Sequence, residues 1–76
     1  MNNKKRESLK EAVAMLDRTT LMVETVCNKE QDCVDNFPEN LQCSERVEKM
    51  EYAIDNLNDA IEKIEDAKDL IRHVIN

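Results

Sequence analysis

Mostly apolar residues recur at alternating steps of three and four along two stretches of nearly equal length, and we call each such set a seam. In the first stretch they are Leu9, Val13, Leu16, Thr20, Val23, Cys27, Glu30, Val34 and Phe37. In the second they are Val47, Met50, Ile54, Leu57, Ile61, Ile64, Lys68, Ile71 and Ile75. This spacing places each set on one stripe of an α-helix. Because the only proline, Pro38, separates the two stretches, the pattern predicts two helices that fold back on each other.

The predicted helices cover about residues 5–36 and 44–75, and a turn at about residues 37–43 joins them within a single domain. Ser44 is a candidate N-cap, because its hydroxyl is able to accept a hydrogen bond from an amide of the first turn. Glu45 then places negative charge at the positive end of the helix dipole. In an alternative reading, Pro38 is the first residue of a short helical turn of its own.

The apolar stripe on each helix is broader than one neighbouring helix covers. Alanines recur every seventh residue beside the second seam, and methionines widen the first, so that the apolar columns span about 160° at 100° per residue. The sequence therefore predicts an all-α antiparallel helical hairpin that self-associates, most simply into a dimer that forms a four-helix bundle. The residues expected at this interface are Leu9, Val13, Met15, Leu16, Met22, Val23, Val26, Met50, Ile54, Leu57, Ile61, Ile64 and Ile71. Leu21 lies outside the arc and offers a contact for a higher oligomer or another partner.

Composition argues against turn-rich β architecture, disorder and a membrane-spanning protein. In 76 residues there is no glycine, only Phe37 and Tyr52 are aromatic, and 37% of residues are charged in a periodic arrangement that favours solvated helices over disorder. No apolar run is long enough for a membrane span and no signal-peptide core is present, so we expect a cytoplasmic protein. The three cysteines have neither zinc-ribbon nor redox spacing, which favours reduced thiols and predicts no metal site and no cofactor.

Charge is distributed unevenly around the second helix and along the chain, whose net charge is −6. Glu48, Asp55, Glu62 and Asp69 form one acidic column. This column is typical of a solvated surface with intrahelical pairs such as Asp59 with Lys63, or it imitates nucleic-acid backbone for a basic protein partner. The acidic long faces disfavour direct binding of nucleic acid.

Three polar residues, Thr20, Glu30 and Lys68, interrupt the seams. Glu30 and Lys68 fall toward opposite ends of an antiparallel hairpin, so they cannot pair within it. We expect them to fix the register or to lie where the bundle is open to water.

Two ends of the hairpin are candidates for binding a phosphate-bearing ligand. Folding brings Lys4, Lys5, Arg6 and Arg72 together at one end, where Lys10 and Lys68 also fall, and fixed positive charge favours phosphate there. At the other end Gln42, Ser44 and Arg46 surround the amide-rich start of the second helix.

The segment from Asp32 to Arg46, with Glu48-Lys49-Met50 and the Ala-Ile-Asp-Asn-Leu run from Ala53, resembles a family of small acidic proteins. These occur in Gram-positive bacteria, their prophages and mobile elements. The resemblance covers roughly residues 30–67, and the Asp-Asn-x-Pro-Glu-Asn-Leu-Gln segment is its most specific part. It implies a helical hairpin and a phage or prophage setting, and it implies no activity.

The predicted function is that of a binding protein without catalysis. The only histidine, His73, falls far from all three cysteines, and no Glu-x-x-His motif is present. In a phage setting we expect an inhibitor of host defence that sequesters a nucleotide signal or blocks a host protein. The alternative is a structural or regulatory accessory protein, including an acidic decoy that binds a basic protein.

Overall fold

The computed structural model describes residues 1–76 as a helical hairpin. Helix α1 spans Asn3–Asp35, a short 3-10 turn spans Glu39–Leu41, and helix α2 spans Glu45–Ile75. The two helices pack antiparallel into a rod of 60 × 15 × 13 Å. Helix α1 begins two residues before the predicted start, and α2 begins one residue after its predicted start. Neither helix is long and apolar enough to cross a lipid bilayer.

Side-chain caps fix where both helices begin. The Ser44 hydroxyl accepts a hydrogen bond from the Val47 amide at 3.3 Å, as predicted for the start of α2. The amide oxygen of Asn2 accepts from the Lys5 amide at 2.8 Å, and this cap accounts for the earlier start of α1. Between the helices, Pro38 immediately precedes the 3-10 turn, and its carbonyl accepts from the Leu41 amide at 2.8 Å. The proline thus breaks α1 without taking part in either helix.

The two helices bury one column of residues from each predicted seam. In α1 the buried residues are Val13, Thr20, Cys27 and Val34, each seven positions apart. In α2 they are Val47, Ile54 and Lys68, with Ile61 half-buried between them. Cys27, Val34, Val47 and Ile54 form the apolar core toward the loop, and Phe37, Met50 and Leu57 pack against it. The buried Lys68 lies toward the end that holds the chain termini, and the buried Thr20 lies near the middle of α1, where no partner satisfies its hydroxyl.

The two edges of this seam differ in chemistry. One edge, which we call the polar edge, carries Lys10, Asp17, Glu24 and Gln31 from α1 and Asn58, Glu65 and Arg72 from α2. The second column of each predicted seam lies toward the other edge and is only half-buried, as are the alanines beside it. In an antiparallel pair, equivalent columns of the two helices face the same side. The hairpin is therefore polar on one broad side and apolar on the other.

Candidate functional site

The apolar side is the largest feature that the hairpin leaves uncovered. We define the apolar face by Leu9, Leu16, Val23, Met50, Leu57, Ile64 and Ile71, flanked by Met15, Met22, Val26, Ala53, Ala60 and Ala67. At its flank, Met15, Met22 and Val26 are 54%, 70% and 56% exposed. Two residues predicted for an intermolecular interface, Val13 and Ile54, are instead buried between the two helices of one hairpin. Ile61 is half-buried, and Leu21 is exposed outside the face.

An ion-pair network centred on the buried Lys68 lies on the polar edge. The Lys68 ammonium lies 2.6 Å from an Asp17 carboxylate oxygen and 2.6 Å from a Glu65 carboxylate oxygen, and its side chain is 6% exposed. Lys68 is therefore not open to water, and the network ties α2 to α1 at one level. The hydrogen bond from Lys68 holds the pKa of the Asp17 carboxyl below its ordinary value. The hydrogen bonds to Asp17 and Glu65 raise the pKa of Lys68 above its ordinary value.

The predicted basic end contains a cleft of about 260 Å³ on the polar edge. It is lined by Lys10, Val13, Arg72, Ile75 and Asn76. Each of its two cations has an exposed carboxylate nearby: the Lys10 ammonium lies 3.3 Å from Glu7, and the Arg72 guanidinium 3.2 Å from Asp69. These solvent-exposed pairs are weak enough for a phosphate-bearing ligand to compete with them.

Three other cations predicted for this end do not line the cleft. Lys4 and Lys5 are exposed, and Arg6 donates to the Asn3 side chain at 3.4 Å. The cleft therefore draws its positive charge from Lys10 and Arg72.

At the loop end, the three predicted ligand-binding residues make contacts within the hairpin. The Gln42 amide donates to the carbonyls of Val34 and Phe37, at 3.1 and 2.9 Å. The Ser44 hydroxyl caps α2, and the Arg46 guanidinium lies 5.8 Å from the centre of the Phe37 ring. These groups stabilise the turn, and the structure brings them into no pocket.

The cysteines do not form a common site. Cys27 is buried, and its thiol lies 3.5 Å from the Asn58 amide oxygen and 4.0 Å from the Ile54 carbonyl. Cys33 and Cys43 are exposed and unpaired. No group of three or more histidine, cysteine, aspartate or glutamate side chains converges in a way that would hold a metal ion.

The acidic column of α2 is exposed along its whole length, at Glu48, Asp55, Glu62 and Asp69. The predicted pair between Asp59 and Lys63 is not formed. The exposed pairs within α2 join Lys49 to Glu45 at 3.5 Å and Arg72 to Asp69 at 3.2 Å. Most of the column therefore carries uncompensated negative charge.

No protein-family model, no curated protein and no solved structure matches this chain.

The ion-pair network gives a testable pH dependence. Because the pKa of Asp17 is lowered in the folded protein, its contribution to stability is present above the ordinary carboxylate pKa and is lost as pH falls through the lowered value. Because the pKa of Lys68 is raised in the folded protein, its contribution to stability is lost only in strong base, as pH rises through the raised pKa. We expect Asp17→Asn to lower the melting temperature at pH 7, and the difference from wild type to close below about pH 4.

The control is Asp59→Asn, which removes an exposed carboxylate with no ion-pair partner from α2. Its melting temperature should follow that of the wild type across the same pH range. Equal melting curves for Asp17→Asn and wild type at pH 7 would show that the Asp17–Lys68 pair contributes nothing to stability.

Proposed function

We propose that this protein is a non-enzymatic binding protein whose working form is a self-associated helical bundle. The exposed apolar face carries this proposal. The accessible surface of the single hairpin is 5893 Å². A compact monomer of 8.9 kDa would expose about 4,800 Å². The excess of about 1,100 Å² is comparable with the surface that each subunit buries in a standard protein–protein interface, about 800 Å².

The small core supports the same proposal. Only seven of 76 residues are buried in the hairpin, and two of them are Thr20 and Lys68. A core of five buried apolar residues is too small to offset the conformational entropy lost by two long helices. Covering the apolar face of each hairpin with that of another would double the number of packed layers.

Residue Val26 provides a test of self-association that leaves the hairpin intact. Because Val26 is 56% exposed in the single hairpin, Val26→Glu should alter that hairpin little. In the bundle it would bury an unpaired carboxylate at each of two symmetric sites, at a cost of several kcal/mol. We expect wild type to be at least dimeric at micromolar concentration by sedimentation, and Val26→Glu to raise the dissociation constant by about 100-fold or more.

Leu21→Glu is the matched control, because Leu21 is 62% exposed on the same helix but lies outside the apolar face. It should sediment as wild type does. A stably folded wild-type monomer, or dissociation by Leu21→Glu in place of Val26→Glu, would contradict the assignment of this face.

The cleft at Lys10 and Arg72 supports a second element of the proposal. It combines two cations with the apolar side chains of Val13 and Ile75, a combination suited to a nucleotide with its phosphate and its base. We propose that the protein inhibits a host defence system by sequestering such a ligand. The phage setting implied by the resemblance of the loop segment supports this role.

A thermal-shift screen against cyclic and linear nucleotides tests the ligand-binding proposal. At least one nucleotide should raise the melting temperature in proportion to the logarithm of its concentration over the dissociation constant. Lys10→Ala and Arg72→Ala should abolish the shift. Lys63→Ala, which removes an exposed cation with no ion-pair partner and outside the cleft, should retain it.

If no nucleotide changes the melting temperature, the sequestration proposal is wrong. The exposed acidic column of α2 then supports the alternative of an acidic decoy or protein blocker. In that case a basic protein should bind in a salt-sensitive complex that reversal of Glu48, Asp55, Glu62 and Asp69 to lysine abolishes.

A further inference from the structure

The two ends of the hairpin carry opposite charge. At the end that holds the chain termini, residues 4–10 and 69–72 contain five cations and two carboxylates. At the loop end, residues 29–48 contain six carboxylates and two cations. These clusters lie at opposite ends of a rod 60 Å long. Because that length is several Debye lengths at physiological salt, neither cluster compensates the other within one hairpin.

Two hairpins are able to stack their apolar faces about a twofold axis in two ways. If the axis runs along the helices, both loops lie at the same end, and α1 of each copy packs on α2 of the other. If the axis runs across the helices, the loops lie at opposite ends, and α1 packs on α1 of the second copy. Both arrangements give a four-helix bundle in which neighbouring helices are antiparallel. Apolar packing alone does not choose between them.

Charge does distinguish the two arrangements. With loops at the same end, the basic ends meet each other and the acidic ends meet each other. With loops at opposite ends, each basic end lies beside the acidic loop end of the second copy. Complementary potentials favour the correct register, whereas juxtaposed like charges oppose it. We propose that the occupant of the apolar face is a second copy of this chain, bound with its loop at the opposite end.

Glu30 gives this arrangement a specific contact. It is the only charged residue in the half-buried column of α1, and it makes no ion pair within the hairpin. Full overlap of Asn3–Asp35 with its antiparallel copy places Glu30 level with position 8 of that copy. Lys5 and Arg6 lie within about one helical turn, 5.4 Å, of this level. In the same-end arrangement, Glu30 would instead lie over α2 level with position 51, where the nearest cation, Lys49, already pairs with Glu45 at 3.5 Å.

The arrangement leaves the cleft accessible. Lys10 and Arg72 lie on the polar edge, away from the apolar face that the second copy covers. The bundle would therefore carry two clefts at opposite ends, one from each copy. This inference rests on the self-association proposed above and adds to it the orientation of the second copy.

Distances between spin labels test the orientation. In Cys33→Ser, Cys43 is the only exposed cysteine, since Cys27 is buried. Labels on Cys43 of the two copies should lie roughly 50 Å apart, the length of a 33-residue helix at 1.5 Å per residue. A second variant carries its label at Ser8→Cys and lacks the other exposed cysteines through Cys33→Ser and Cys43→Ser. In a mixture of the two variants, the label at position 8 of one chain should lie about 25 Å or less from the label at Cys43 of the other, a distance of two helix diameters plus the label arms.

The outcomes separate the two proposals. A distance of about 25 Å or less between the two Cys43 labels in a dimer would overturn the opposite-end orientation and leave self-association standing. A protein that sediments as a monomer and shows no intermolecular dipolar signal would overturn both.

A charge exchange tests the Glu30 contact itself. With two such pairs in each dimer, Glu30→Lys or Lys5→Glu alone should raise the dissociation constant by about tenfold. The double variant should return to within about threefold of wild type, because the pair is restored with its charges reversed. The combination of Lys5→Glu with Glu24→Lys should leave the dissociation constant raised, because Glu24 lies on the polar edge. Failure of the Glu30 and Lys5 exchange to restore the affinity would contradict the proposed contact.

Discussion

A pair of helices covers only one column of each helix's apolar stripe, and this constraint determines the rest of the structure. The buried column of α1 and that of α2 supply the whole core, while the neighbouring columns remain half-exposed. A rod of 15 × 13 Å in cross-section has no third layer to cover them. The apolar face, the small core and the large accessible surface are therefore three consequences of the same two-helix geometry.

The division of the hairpin into a polar and an apolar edge explains how one short chain could combine association with ligand binding. The apolar face offers surface for a second copy. The polar edge carries the Lys68 network and the cleft at Lys10 and Arg72, and the cleft remains open to solvent when the opposite face is covered. Lys68 also fixes the register of α2 against α1, because Asp17 of α1 reaches the buried ammonium only in that register, whereas Glu65 lies on the same helix as Lys68.

The helical hairpin follows from sequence periodicity because a repeat of three and four residues is a local property of the chain. Ser44 was identifiable as a cap for the same reason. The partner of Lys68 was not, because Asp17 lies 51 positions away and the contact depends on the register of two helices. Likewise, the sequence placed Gln42 and Arg46 near a helix N-terminus. It did not predict the hydrogen bonds from Gln42 to the Val34 and Phe37 carbonyls, or the contact of Arg46 with the Phe37 ring. The sequence predicted that Lys10 and Arg72 fall at the same end, but not the cleft that Val13 and Ile75 form with them, since that depends on how the two helices pack.

The central claim, that folding is completed by association through the apolar face, is tested most directly by the concentration dependence of thermal unfolding. For a dimer that unfolds to separated chains, a 100-fold increase in concentration stabilises the folded state by about 2.7 kcal/mol. For a bundle of this size, the melting temperature should rise by on the order of 5–10 °C between 1 and 100 µM. A melting temperature that is the same at both concentrations, for a chain that sediments as a monomer, would contradict the account.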